Sequence, residues 1–236
     1  MVYQPQIKLS TKKICSLESL IRWESKELGF ISPAVFIPIA EKRGLITEVG
    51  NWIIDEVCKQ INRWLELKND IFRVSINISS AQITDKRALE NIISIIEKNR
   101  VDLKYIELEF TETMLLSIDK ETQQYMKILQ HRGITYAIDD FGTGYSSMSS
   151  LRQIKADKLK IDMEFIQDVL DDKDDQEIIK ATIALGHALN MQIVAEGAEE
   201  LDQVKILQEY GCNIIQGYYY AKPMMPEMIE FDKIFK

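Results

Sequence analysis

Thr135-Tyr136-Ala137-Ile138-Asp139-Asp140-Phe141-Gly142-Thr143-Gly144-Tyr145 is an apolar, β-prone run that meets two adjacent carboxylates and then breaks into a glycine-rich turn. Like charges side by side at a strand end repel, so this pair needs a compensating partner. A divalent cation with oxygen ligands supplies one, and a solvated Asp-Asp turn is the plain alternative. What the other strands deliver to the same place decides between them.

Outward from this stretch, strand-like segments fall at residues 3–9, 16–23, 73–78, 105–110, 135–138, 158–161, 192–195 and 213–217. Segments of helical periodicity lie between them at 34–42, 49–64, 87–99, 120–131, 175–189 and 201–210. Several strands are continuous apolar runs, the pattern of a parallel sheet covered on both faces. Eight strands in 236 residues favour a closed (β/α)8 barrel over an open sheet. The first two depart from the alternation. Only Ser10-Thr11-Lys12-Lys13 separates them, which reads as a hairpin, so the barrel is expected to hold an antiparallel strand near its N-terminus. No linker, repeat or low-complexity segment divides the chain, and one domain over residues 1–236 is expected. The acidic run Asp171-Asp172-Lys173-Asp174-Asp175 reads as a solvated loop that caps the next helix.

Hydrophobic residues make up 46% of the chain and charged residues 28%, ordinary values for a globular protein. A formal net charge of −8 argues against a DNA or RNA duplex or an anionic membrane surface as the main partner. It leaves room for a small phosphate ligand, because bound cations invert the local potential. Cys15, Cys58 and Cys212 form neither a disulfide framework nor a zinc spacing, which fits a reducing cytoplasm. No apolar run has the length of a membrane span, and no signal peptide is read before Tyr3. Direct membrane contact from this segment is therefore not expected, although the chain is readable as a module of a longer, possibly membrane-anchored protein.

In a parallel α/β barrel the reactive groups gather at the C-terminal strand ends. The last polar residues of the strands above are Glu18, Asn77, Glu109, Asp139, Asp140, Lys160, Glu196 and Gln216, from seven different strands. Carboxylate and amide oxygens are hard ligands that suit Mg²⁺ or Mn²⁺. The two histidines, His131 and His187, belong to helical segments, where surface or capping roles suit them better than ligation. No serine, histidine or cysteine arrangement supports covalent acyl chemistry. Metal-assisted hydrolysis remains, and phosphate esters are natural substrates for such a site.

Glu18-Ser19-Leu20-Ile21-Arg22-Trp23, Asn77-Ile78-Ser79, Glu109-Phe110-Thr111-Glu112, Asp139-Asp140-Phe141-Gly142-Thr143-Gly144, Leu159-Lys160-Ile161-Asp162, Glu196-Gly197-Ala198-Glu199 and Gln216-Gly217-Tyr218 occur in that order. This series resembles the EAL-domain family of cyclic di-GMP phosphodiesterases across essentially the whole chain, from Tyr3-Gln4-Pro5 to Lys222-Pro223. The resemblance implies a modified (β/α)8 TIM-type barrel that linearises cyclic di-GMP to 5′-pGpG with Mg²⁺ or Mn²⁺, two ions sharing Asp139. It implies Glu18, Asn77, Glu109 and Asp139 as the primary cage, completed by Asp140 and Glu196 directly or through water. Lys160 would hold the attacking water, and Glu112 would anchor the loop that follows the aspartates. Gln4, Leu20, Arg22, Glu199 and Gln216 are the implied substrate contacts. Ca²⁺ is expected to allow binding and inhibit cleavage, since its looser coordination misplaces the water. A homodimer through elements near residues 139–145 is expected on the same likeness.

Two positions depart from the family pattern. Ser19 stands where the family has alanine, and Ala198 where valine is common; neither removes a ligand. Several assigned residues also have plain structural readings. Glu112, Asp162 and Glu199 could each serve a helix start, and Arg22 could be a surface ion-pair partner. Tyr218, Tyr219 and Tyr220 could include a base-stacking aromatic or could simply pack.

Overall fold

The computed structural model describes residues 1–68, 70–142 and 155–235, with the side chains of residues 115 and 116 outside the description. Eight strands close a barrel: β1 (Val2–Lys8), β2 (Lys13–Leu20), β5 (Arg73–Ile78), β6 (Ile106–Thr111), β7 (Thr135–Phe141), β8 (Lys158–Ile161), β9 (Gln192–Glu196) and β10 (Ile214–Gln216). The order around it is β1-β10-β9-β8-β7-β6-β5-β2, with β2 returning to β1. Strand β1 runs antiparallel to both its neighbours, whereas the other seams are parallel. The expected hairpin at residues 10–13 is what reverses β1. Reversal carries its start, rather than its end, to the mouth of the barrel: Gln4 pairs in register with Glu18.

Helices cover the outside because their apolar residues recur at helical spacing. Helix α3 (Lys86–Lys98) buries Leu89, Ile92, Ile93 and Ile96, and its N-cap Asp85 accepts from the Ala88 N–H. Helix α2 (Ile46–Leu67), following α1 (Pro33–Lys42), buries Ile54, Val57, Ile61 and Trp64 in the same way. The later helices α5 (Lys120–His131) and α7 (Lys173–Ala188) start at Asp119 and Asp172, which cap them through side-chain acceptors. The acidic run is thus a helix start, as expected. These helices and the outward residues of the strands form one apolar cluster.

The structure moves two strand ends and adds short elements. Strand β2 stops at Leu20, not at Trp23. Trp23–Ser25 instead forms β3, a separate ribbon with β4 (Gly29–Ile31), and Trp23 and Phe30 are exposed. Arg22 therefore lies in the connection beyond the strand, where strand alternation does not direct it. Strand β7 does not end at Ile138 but continues to Phe141 through a register shift, with Asp140 at φ +53°. Short helices α4 (Glu112–Ser117) and α6 (Met163–Gln167) follow β6 and β8, at the possible helix starts Glu112 and Asp162. Helix α8 (Leu201–Glu209) matches its expected position. Residues 143–154, with the rest of the loop near which a dimer contact is expected, lie outside the described residues.

Candidate metal centre

Lys160 is buried at the centre of the site. Its ammonium Nζ lies 2.7 Å from Glu109 Oε2, 2.9 Å from Glu196 Oε1, 3.0 Å from Asp139 Oδ1 and 3.7 Å from Glu18 Oε1. Those carboxylates come from β6, β9, β7 and β2, so the pairs cross the barrel interior. An ammonium on an apolar strand is costly to bury unless it is paired, and here it is paired several times over. Burial works against its charge, but Asp139, Glu109, Glu18 and Glu196 outweigh burial and hold its pKa well above the usual lysine value.

One cation does not satisfy this many carboxylates. Burial pushes the Glu109 carboxyl well above the ordinary range, with Glu18 and Asp139 adding to the rise against the pull of Lys160. Glu196 is raised to about 8 by burial and by Asp139 and Glu18, again against Lys160. Asp140 is raised to about 6 by burial, Asp139 and Asp162. Two buried oxygens have no hydrogen-bond donor among the described residues: Glu109 Oε1 and Asp139 Oδ1, the latter meeting Lys160 only as an ion pair. One oxygen each from Glu18, Glu109 and Asp139 can converge within 4.8 Å of one another. Hard donors that are short of positive charge and converge on one point fit a divalent cation such as Mg²⁺ or Mn²⁺.

Side-chain amides fix the carboxylate of Glu18 from both sides. Asn77 Nδ2 donates to Oε1 at 2.7 Å, and Gln216 Nε2 donates to Oε2. Asn77 is exposed on β5, and with its nitrogen so engaged its Oδ1 is the atom left to offer as a ligand. Asp139 and Asp140 face one cleft although they are consecutive, which a regular strand forbids. The bulge in β7 and the positive φ at Asp140 make this possible. Immediately beyond, Glu112 Oε2 accepts from the Gly142 N–H at 3.1 Å, joining the start of α4 to the end of the aspartate strand. Gly142 has φ +104°, and a Cβ there would meet Phe165 at 2.9 Å, so the turn needs glycine.

Two clefts flank the carboxylates. One, of about 310 Å³, is lined by Leu20, Arg22, Asn77, Asp139 and Asp140 among others. The other, of about 190 Å³, is lined by Gln4, Glu196, Glu199, Gln216 and Tyr218 among others. Every residue named from the sequence as a ligand or substrate contact thus touches the carboxylate cluster or one of these clefts, except Glu112, which acts at the loop. Arg22 reaches the rim from the β2–β3 connection, its guanidinium donating to the Ile21 carbonyl at 2.8 Å. Glu199 is exposed, and its backbone N–H donates to Gln203 Oε1 beside the start of α8. Asp162 caps α6 by accepting from the Glu164 N–H, and it also lies beside the Asp140 carboxyl. A larger cavity of about 610 Å³ lies among Trp23, Phe36, Ile39 and Trp52, but it is apolar and holds none of the clustered carboxylates. The carboxylates face the smaller clefts.

A second polar layer, beneath the first, escaped sequence reasoning. Lys158 Nζ donates to Glu107 Oε1 at 2.8 Å, Gln6 Oε1 at 2.9 Å and Ser16 Oγ at 2.9 Å, all buried. Ser75 and Thr135 also donate to Glu107, and with Lys158 they hold its carboxyl below the ordinary range despite burial. The signal was present: residues 158 and 160, 107 and 109, 16 and 18, and 75 and 77 are two apart on their strands and share a face.

Comparison with known proteins places these residues in a family context. The family model described as EAL domain matches residues 1–223. The bifunctional diguanylate cyclase/cyclic di-GMP phosphodiesterase MucR of Pseudomonas aeruginosa is 35% identical over 227 residues, covering 96% of this chain and 33% of the relative. Cyclic di-GMP phosphodiesterase PA2567 of the same organism is 36% identical over 230 residues, covering 98% of this chain and 39% of the relative. The chain thus spans about a third of the length of these curated relatives. The solved PaMucR phosphodiesterase complex with c-di-GMP superposes with a TM-score of 0.90 at 35% identity, over 96% of this chain and 92% of that one.

Proposed function

The chain belongs to the EAL domain family, and from that premise we propose that it is a metal-dependent phosphodiesterase cleaving cyclic di-GMP to linear 5′-pGpG. The observation that carries the reading is the convergence of Glu18, Glu109, Asp139 and Glu196 on one buried ammonium with oxygens still lacking donors. The cyclic di-GMP complex of the PaMucR phosphodiesterase, at TM-score 0.90, supports the substrate. Glu18, Asn77, Glu109 and Asp139 would hold one ion, and Asp140 and Glu196 would hold a second alongside Asp139. Such ions supply activation of water and neutralisation of charge at phosphorus.

The chain's own residues would do the rest. In the hydrolysis a water oxygen bonds to phosphorus, the opposite 3′-oxygen–phosphorus bond breaks, and the released 3′-oxygen takes up a proton. Lys160 would hold the attacking water and favour its deprotonated form by its fixed positive charge, and would balance charge as the phosphoryl oxygens become more negative. Arg22, at the rim of the larger flanking cleft, would grip a phosphate oxygen. Gln4, Glu199 and Gln216 line the other cleft and would contact the second nucleotide, while Leu20, in the larger of the two clefts, would pack beside the first. Glu112 would hold the Asp139–Gly142 segment at its working position through the Gly142 amide.

No helix among the described residues is long and apolar enough to cross a membrane. A cytoplasmic module that works as a homodimer is the setting we propose for this reaction. The decisive assay incubates the protein with cyclic di-GMP and Mg²⁺ or Mn²⁺ and follows pGpG by chromatography. Retained nucleotide binding with no pGpG under either metal would reassign the chain as a sensor.

A further inference from the structure

The lower polar layer is connected to the cation site by an ordered series of donors. A lysine ammonium has three donors and no acceptor. Lys158 directs all three, to Glu107, Ser16 and Gln6. The atom of Gln6 that faces Lys158 must therefore be the oxygen, and the Ser16 hydroxyl donates to that same oxygen. The amide nitrogen of Gln6 is then turned to Gln216, donating to its Oε1 at 2.8 Å. With its oxygen so engaged, Gln216 presents only its amide nitrogen to Glu18 Oε2 and Gln4 Oε1. A reversed Gln216 would set its oxygen against a carboxylate oxygen in place of a donor.

From this we infer that Lys158, Ser16 and Gln6 are positioning residues, which set the polarity of the Gln216 amide and through it orient Glu18 for cation binding. The inference rests on the reading of Glu18 as a cation ligand, not on which nucleotide is cleaved. Gln6, Ser16 and Lys158 are each nearly fully buried below the mouth, so none acts on a ligand directly. Their effect on the site passes through Gln216.

Three variants test the relay: Gln6→Met, Gln6→Glu and Gln216→Met, with each Gln6 change also made in the Gln216→Met background. Mn²⁺ affinity is measured by calorimetry without nucleotide, and thermal melting in EDTA checks the fold of each variant. Gln6→Met keeps size but loses polarity, and Mn²⁺ Kd should rise about tenfold, within the range for outer partners of metal ligands. Gln6→Glu keeps its pairing with Lys158 but can only accept, which draws the Gln216 nitrogen away and turns its oxygen to Glu18. Its added negative charge alone would tighten cation binding. The relay instead requires Kd to rise further than in Gln6→Met, toward about a hundredfold. In the Gln216→Met background both Gln6 changes should shift Kd by less than about threefold, the non-additivity of a shared path.

Losses that add fully in that background, or tighter Mn²⁺ binding by Gln6→Glu, would overturn the relay. If wild type binds Mn²⁺ and shows the non-additive pattern but leaves cyclic di-GMP intact, the relay stands and the phosphodiesterase reading falls. A wild type that binds no Mn²⁺ overturns both.

Discussion

Replacing Lys160 by methionine tests whether the site is a pocket of excess negative charge. Methionine preserves most of the buried length while removing an ammonium that lies within 3.0 Å of Glu109, Glu196 and Asp139. Breaking a buried charge pair by removing one partner costs about 3–5 kcal/mol, because the other charge is left unpaired. At about 2–4 °C per kcal/mol for a chain of this size, Lys160→Met should melt roughly 6–20 °C below wild type in EDTA. The deficit depends on pH, and its sign follows from the carboxylates. Burial already raises Glu109 and Glu196, and losing the lysine removes the charge that opposes the rise. A folded state that binds more protons than the unfolded one loses stability as pH rises, so the deficit should be larger at pH 8.5 than at pH 6. Mn²⁺ supplies the missing charge. At about 100 times its Kd it returns about 2.7 kcal/mol, and because it replaces an absent ammonium it should stabilise the variant more than wild type. Differential scanning fluorimetry with EDTA or Mn²⁺ at the two pH values reads all of this. Equal melting temperatures in EDTA at pH 8.5, or equal Mn²⁺ stabilisation of the two proteins, would refute the charge argument.

Other outcomes follow from the same geometry. Glu18→Ala should lower turnover by about a thousandfold, the effect of several kcal/mol of lost metal polarisation, while the circular dichroism spectrum is kept; near-normal rates remove Glu18 from the cage. Ca²⁺ should support cyclic di-GMP binding with little pGpG formed, and cleavage faster in Ca²⁺ than in Mg²⁺ would contradict the coordination argument. Metal-free wild type should lose stability as pH rises from the ordinary carboxylate range toward about 8, where Glu196 ionises, and Mn²⁺ affinity should increase across the same window; a flat melting profile in EDTA speaks against it. Glu112→Ala frees the Gly142 amide and should cut kcat by about tenfold or more, with KM changing far less. A KM effect alone would assign Glu112 to substrate binding.

The barrel was legible because its strands and helices carry different periods, and each of the eight strands has an expected counterpart. Residues 23–31 were not legible, for a specific reason. Trp23 and Phe30 look like core residues, yet they form an exposed ribbon, so their apolarity carried the reading past the true end of β2. The buried polar layer was missed for the opposite reason. In β2, β5, β6 and β8 the apolar residues Leu17, Val74, Ile76, Leu108 and Leu159 pack outward in the shared apolar cluster. The polar ones, Ser16, Glu18, Ser75, Glu107, Glu109, Lys158 and Lys160, meet one another across the barrel. Alternation of apolar and polar residues normally assigns the polar face to water, and here that face is the interior. Only the pairing of opposite charges two residues apart on separate strands could have told the two arrangements apart.

The aspartate pair shows how a sound inference can rest on an incomplete local picture. Two charges at a strand end suggested a cation, but alternation along a regular strand would have sent Asp139 and Asp140 to opposite faces. The β7 bulge and the left-handed backbone at Asp140 bring them together. A non-glycine residue in that conformation is strained, although Asp tolerates it better than most. That strain places a second carboxylate beside Asp139, where burial and its neighbours raise Asp140 to about 6. Asp139 meets the Lys160 ammonium, whereas burial and the neighbouring Asp139 and Asp162 work against the charge of Asp140. A divalent ion held by the pair, as proposed above, would offset both the strain and that charge, which makes the pair a stronger pointer to the site than any single carboxylate.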